Sequence, residues 1–232
     1  MNYFWVVFLI ILIGVFAFFM KNSTHSSKIS TNTVRYVAIG DSYTIGEGVD
    51  EEKRWPNLLT KDLQRNGIEI ALVANPSVTG WTTQQALEEE LPIYDQANPD
   101  FSTLLIGVND WVQGVSVADF RANLVKLLDH MQQKMEKKNH LLIITIPDFS
   151  VTPTGKQFAQ GRDISAGIKQ FNMVIKEEAK KRELVVVDIF PLSQHMGNDP
   201  TLINPDGLHP SAKEYQLWEE KILPAAEKLL NE

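Results

Sequence analysis

At 232 residues, with 44% hydrophobic and 22% charged side chains, the chain has the composition of a folded globular protein rather than a disordered one. The formal net charge is -7 and the Lys and Arg residues form no cluster, which argues against a nucleic-acid partner. No cysteine is present, so disulfides, zinc–thiolate sites, a lipoprotein anchor and a cysteine nucleophile are excluded.

Residues 3–20 are apolar without interruption. As a helix this run would extend roughly 27 Å, close to the thickness of a bilayer's hydrocarbon core. No Lys or Arg precedes it, and the bulky Ala17-Phe18-Phe19-Met20 closes it where a cleavable signal carries small residues. Residues 1–21 are therefore expected to be a transmembrane anchor or uncleaved signal, meeting the membrane through residues 3–20. Secretion after signal-peptide cleavage is the alternative. Lys21 and Lys28 follow the run and favour a cytoplasmic domain by charge asymmetry. A signal-anchor exports a long C-terminal domain whatever its flanking charge, so an extracytoplasmic domain is the expectation. Residues 22–33 form a polar Ser/Thr-rich tether.

From residue 34 to 232 strands and helices alternate in a single domain. Val34–Ile39 reads as a strand, and Trp55-Pro56 opens a helix that runs to about Arg65 and stops at Asn66-Gly67. Ile68–Val73 is a second strand. Thr82–Tyr94 has helical spacing, with Glu88-Glu89-Glu90 expected as a solvated face. Ser102–Ile106 is a short apolar strand ending at Gly107. Ser116 and Asp119 resemble a capping box before Phe120, Leu124, Leu127, Leu128 and Met131 at helical spacing. Leu141–Ile146 is a strand stopped by Pro147. The stretch 148–162 is long for a connection in a compact domain, and it is expected to shape specificity as a substrate-gating flap. Ile164–Lys181 is an amphipathic helix, Leu184–Ile189 a fifth strand and Ser211–Leu230 the closing helix. Strands apolar on both faces imply a parallel sheet covered by helices, whose ligands bind beyond the strands' C-terminal ends.

The candidate residues fall at those ends. Ser42 follows the first strand, Gly80 the second, Asn109 the third, and the Asp206/His209 loop the fifth. Free serine is a weak nucleophile and needs a neighbouring base. Imidazoles titrate near pH 6.5, so His209 can take and return a proton, and Asp206 three residues earlier can fix its tautomer. The N–H groups of Ser42 and Gly80 and the side-chain amide of Asn109 are suited to an oxyanion. Asp41 and Asp110 are expected to brace the loops carrying Ser42 and Asn109. Trp81, Trp111 and Phe149 are candidate walls of a substrate pocket.

Gly40-Asp41-Ser42, Asn75 to Gly80, Gly107-Val108-Asn109-Asp110 and Asp206-Gly207-Leu208-His209-Pro210, in this order, resemble the four blocks of the SGNH/GDSL hydrolase family of esterases and lipases. The resemblance covers about residues 34–230. It implies a three-layer α/β/α sandwich with a flavodoxin-like five-stranded sheet ordered 2-1-3-4-5, here preceded by the N-terminal hydrophobic helix. It also implies hydrolysis of acyl esters through an acyl-enzyme, with no metal and no cofactor. Lysophospholipid, thioester, short-chain and glycan acetyl esters all remain open as small-molecule or lipid-like substrates. Acyl transfer at the same site is the alternative; a metal-dependent phosphohydrolase or an inactive binding module is further from the pattern. Tyr43 stands where leucine commonly follows the serine, with no evident role. Nothing in the sequence sets the oligomeric state.

Overall fold

The computed structural model describes residues 33–232. The expected anchor and tether, residues 3–20 included, lie outside the described residues; among those described, no helix is long and apolar enough to cross a membrane.

Five parallel strands, β1 (Val34–Gly40), β2 (Ile70–Ala74), β3 (Phe101–Leu105), β4 (Leu141–Ile144) and β5 (Val186–Val187), form one sheet in the order β2-β1-β3-β4-β5. β1 and β3 run side by side with Tyr36 opposite Phe101 and Gly40 opposite Leu105, so the loops after both strands start at one level. β3 and β4 are buried throughout, as strands covered on both faces must be, whereas β2 at the edge is only half-buried beyond Ile70.

The chain leaves β1 through α1 (Ser42–Ile45) and α2 (Trp55–Arg65), where Pro56 occupies the first turn and so removes a donor that would have no partner. The β2–β3 connection is helical as expected but not uniform. α3 (Thr83–Gln85) passes through a π turn, Ala86–Glu90, into α4 (Leu91–Ala97). α5 (Val108–Val112) and α6 (Val117–Lys134) follow β3, α7 (Ile164–Lys181) follows β4, and α8 (Phe190–Ser193) and α9 (Ala212–Asn231) follow β5. The expected cap forms at α6, where Ser116 accepts from Asp119 N–H, and Ser211, read as the first residue of the closing helix, caps α9 by accepting from Glu214 N–H. The crossover to β2 runs in the opposite direction to those reaching β3, β4 and β5, and right-handed connections then put α2 on one face and α6 and α7 on the other. α9 returns to pack on α2.

The core lies on both sides of the sheet. Trp55 and Trp218 are fully buried on the α2/α9 side, and Phe120 stacks on Phe171 at 4.3 Å between α6 and α7. Burying each such side chain contributes roughly 1.5–3 kcal/mol. One expectation fails in this layer: Glu88 and Glu89 are exposed, but Glu90 is completely buried. Glu90 closes the π turn four residues after the buried Ala86 and four before the buried Tyr94, so it falls on the face that packs inward.

Candidate active site

Ser42 opens α1 immediately after β1. Asp41 caps the helix through a 3.0 Å hydrogen bond from Tyr43 N–H, and both Asp41 and Ser42 are buried. Gly40 has to be glycine, because a Cβ there would overlap Thr44 Oγ1 and the Leu105 carbonyl of the neighbouring strand. Gly80 adopts φ +87° in the loop after β2, where a Cβ would meet nothing, so the backbone stands open to the cleft. Asn75, earlier in that loop, donates from Nδ2 to Thr44 O at 3.0 Å and ties it to α1. Asn109 lies in the first turn of α5, which starts at Gly107 with φ +120°. Its Nδ2 donates to Trp81 O at 2.9 Å; the amide carries a second hydrogen for another acceptor.

Asp206 and His209 occupy the turn before α9. His209 Nδ1 lies 2.6 Å from Asp206 Oδ2, while Asp206 Oδ1 accepts from Leu208 N–H at 2.8 Å and His209 N–H at 3.0 Å. Burial opposes the charge on Asp206, but the hydrogen bonds from His209 and from these two N–H groups outweigh it and hold the carboxyl below its ordinary value. The pairing leaves the other ring nitrogen of His209 for a second partner.

Ser42, Gly80, Asn109 and His209 line a single cleft of ≈ 220 Å³. The structure thus brings together residues from four loops, as expected from their places after the strands. No hydrogen bond links Ser42 to His209. Catalytic contacts of this kind are often long in an empty site. Among the described residues, no group of three His, Asp or Glu side chains is arranged to hold a metal ion.

The acids beside the site do as expected. Asp110 accepts from Thr83 N–H at 2.8 Å and Thr83 Oγ1 at 2.5 Å, bracing α3 against the Asn109 turn. Asn204, which the sequence did not single out, joins the two halves of the site. Its Nδ2 donates to Glu47 O at 3.0 Å and its N–H to His209 O at 2.8 Å, while Glu47 N–H donates to Ser42 O at 3.0 Å. Backbone acceptors three loops apart leave no signature in a sequence, so only the fold reveals this link.

Two of the three expected wall residues are elsewhere. Phe149 lines the cleft, but Trp81 and Trp111 do not. Trp111 is buried against α7, whose Gly167 leaves space for the indole, and Arg162 lies over its ring at 4.0 Å. Trp81 contributes its carbonyl to Asn109. The walls are instead Val108, Val112, Phe158 and Leu208, with Tyr43. Tyr43 acquires a role here: buried between His209 and Trp218, it meets the imidazole edge-on at a ring distance of 5.8 Å. The expected flap is bolted down at both ends. Thr154 donates from Oγ1 to Asp206 O and from N–H to Gly207 O, each at 2.9 Å. Arg162 donates to Trp111 O at 2.7 Å and Val112 O at 3.0 Å. Phe158 sits between these anchors and packs edge-on against Phe149 at 6.5 Å.

A parallel sheet with a serine, a paired histidine and aspartate and an amide donor around one cleft has the residue set of a serine hydrolase. Residues 38–217 match the model of the GDSL-like lipase/acylhydrolase family, and the chain belongs to that family. Among characterised relatives it is 25% identical over 192 residues to the arylesterase of Vibrio mimicus, covering 83% of this chain and 87% of that one. Among solved structures, that of TesA superposes with a TM-score of 0.68 at 22% identity, over 84% of this chain and 99% of that one. The acetylxylan esterase Axe2 of Geobacillus stearothermophilus gives 0.66 at 19% identity, over 86% and 96%. At these identities the structural likenesses speak for the fold.

Proposed function

We propose that residues 34–232 form a serine esterase domain that cleaves short-to-medium acyl esters through an acyl-enzyme. Ser42 Oγ attacks the ester carbonyl while His209 Nε2 takes its proton. Asp206 keeps the proton on Nδ1 and stabilises the imidazolium that forms. The Ser42 and Gly80 N–H groups and the free hydrogen of Asn109 Nδ2 take the oxyanion. His209 then returns the proton to the departing alcohol, and water, activated by the same imidazole, releases the acid. The observation that carries this reading is the 2.6 Å Asp206–His209 pair on a cleft shared with Ser42, Gly80 and Asn109. The apolar walls Val108, Val112, Phe149, Phe158 and Leu208 favour an acyl chain over a sugar ring in that space.

Treatment with a fluorophosphonate and mass spectrometry of the product tests the assignment. Labelling at Ser42 that disappears in His209→Ala supports it; a folded protein that takes no label overturns it. A graded series of p-nitrophenyl esters then reads the acyl preference. The unbroken apolar run 3–20 supports a membrane tether; the extracytoplasmic side is proposed because a signal-anchor can export a long C-terminal domain against its flanking charge. Release of the full-length protein from membranes by alkaline carbonate, without detergent, would refute the tether.

A further inference from the structure

Behind the nucleophile lie two carboxyls that the proposed mechanism does not use. Glu90 ends the π turn, is completely buried, and accepts from Gly40 N–H through Oε2 at 3.1 Å across 50 residues of sequence. Asp41 is also completely buried and accepts from Tyr43 N–H through Oδ1 at 3.0 Å. The two acids therefore hold N–H groups on either side of Ser42. Each has a second oxygen, Glu90 Oε1 and Asp41 Oδ2, that is buried with no hydrogen-bond partner.

A lone carboxylate in such a place is costly, and the usual outcome is a retained proton. Burial pushes both Glu90 and Asp41 up to about 8, against the hydrogen bonds from Gly40 and Tyr43. Glu90 closes the π turn and, unlike the exposed Glu88 and Glu89 beside it, reaches the end of β1. Single π turns inside helices are frequent at functional sites. A buried acid exposed to neither water nor substrate has one evident task here, which is to fix the backbone it touches.

We propose that Glu90 is a positioning residue for the nucleophile: holding the Gly40 N–H from its buried place beside Asp41, it fixes the strand end from which Ser42 projects. The proposal rests on the reading of Ser42 as nucleophile. It demands an uncharged acceptor of this length at residue 90, so glutamine should replace the glutamate and a shorter or apolar side chain should not.

The test uses the full-length protein in detergent. It compares wild type, Glu90→Gln, Glu90→Leu and Glu90→Asp in the rate of fluorophosphonate labelling at Ser42 and in kcat and KM on p-nitrophenyl butyrate. Thermal unfolding is followed in parallel. Glu90→Gln is expected to stay within about threefold of wild type, and Glu90→Leu and Glu90→Asp to lose about tenfold or more in kcat and labelling rate at nearly constant KM. A folded Glu90→Leu at wild-type rates overturns the proposal, as does Glu90→Gln falling as far as Glu90→Leu. If Glu90→Leu does not fold, the contrast between Glu90→Gln and Glu90→Asp decides in the same way. Wild type that takes no label at Ser42 overturns the nucleophile assignment itself, and the two failures are thereby told apart.

Discussion

Asp206→Asn separates the chemistry of the His209 turn from its architecture. The aspartate serves three donors: Oδ1 takes the N–H groups of Leu208 and His209, and Oδ2 takes His209 Nδ1 at 2.6 Å. Asparagine keeps a carbonyl oxygen for the two backbone donors, so the turn should persist. In place of Oδ2 it presents an NH2 group, which only donates, and Nδ1 must become the acceptor. The imidazole proton then moves to Nε2, which has no lone pair left to take the serine proton. The stability cost is that of one charge-assisted hydrogen bond, about 1.5–3 kcal/mol when well buried. It is discounted to about 1 kcal/mol because the Asp206 side chain is 39% exposed. The cost to kcat should be about 10⁴-fold, or roughly 5 kcal/mol of barrier. Steady-state hydrolysis of a p-nitrophenyl ester and thermal unfolding of the same samples give both quantities. A folded variant with kcat within about tenfold of wild type would refute the assigned proton path.

The remaining predictions follow from other walls and buried groups. Asn109→Ala should lower kcat by about 10²–10³ with KM little changed, since the oxyanion donor acts mainly in the transition state; unchanged kcat would remove Asn109 from that role. Phe158→Ala should open the cleft between the two anchors of its loop. The kcat/KM ratio of decanoyl over butanoyl esters should rise by about tenfold, and an unchanged ratio would show that Phe158 does not limit the acyl chain. Stability should fall as pH rises from about 4 to 8. Asp41 and Glu90 are raised to about 8 and Glu214 and Glu219 to about 7, all chiefly by burial, so the native state keeps protons that the unfolded chain releases in this window. A melting temperature no lower at pH 8 than at pH 5.5 would contradict this sign, and Glu90→Gln should flatten the slope.

The sequence by itself determined the layered class and the place of the chemistry. Apolar strands separated by amphipathic helices permit little but a parallel sheet covered on both faces, and Ser42, Gly80, Asn109 and His209 each follow a strand. These are local signals: helix periodicity, the cap at Ser116, and short blocks whose residue types define their chemistry. Helix limits came out closely, with α2 ending at Asn66-Gly67 and α7 spanning Ile164–Lys181.

Only the tertiary structure decided where side chains point once several elements share a space. Trp111 turns into α7 because Gly167 leaves room for it, and Phe158 becomes a wall because Thr154 and Arg162 bolt its loop to the turns of Asp206 and Val112. Tyr43 lies beneath His209 because α9 brings Trp218 behind it. Glu90 was read as solvated because it closes a run of three acids; it lies four residues from the buried Ala86 and four from the buried Tyr94, on the inward side of the helix, and its acceptor role there is decided by Gly40 N–H, 50 residues away. Each of these depends on contacts between residues far apart in the chain, for which neither composition nor spacing carries a local signal.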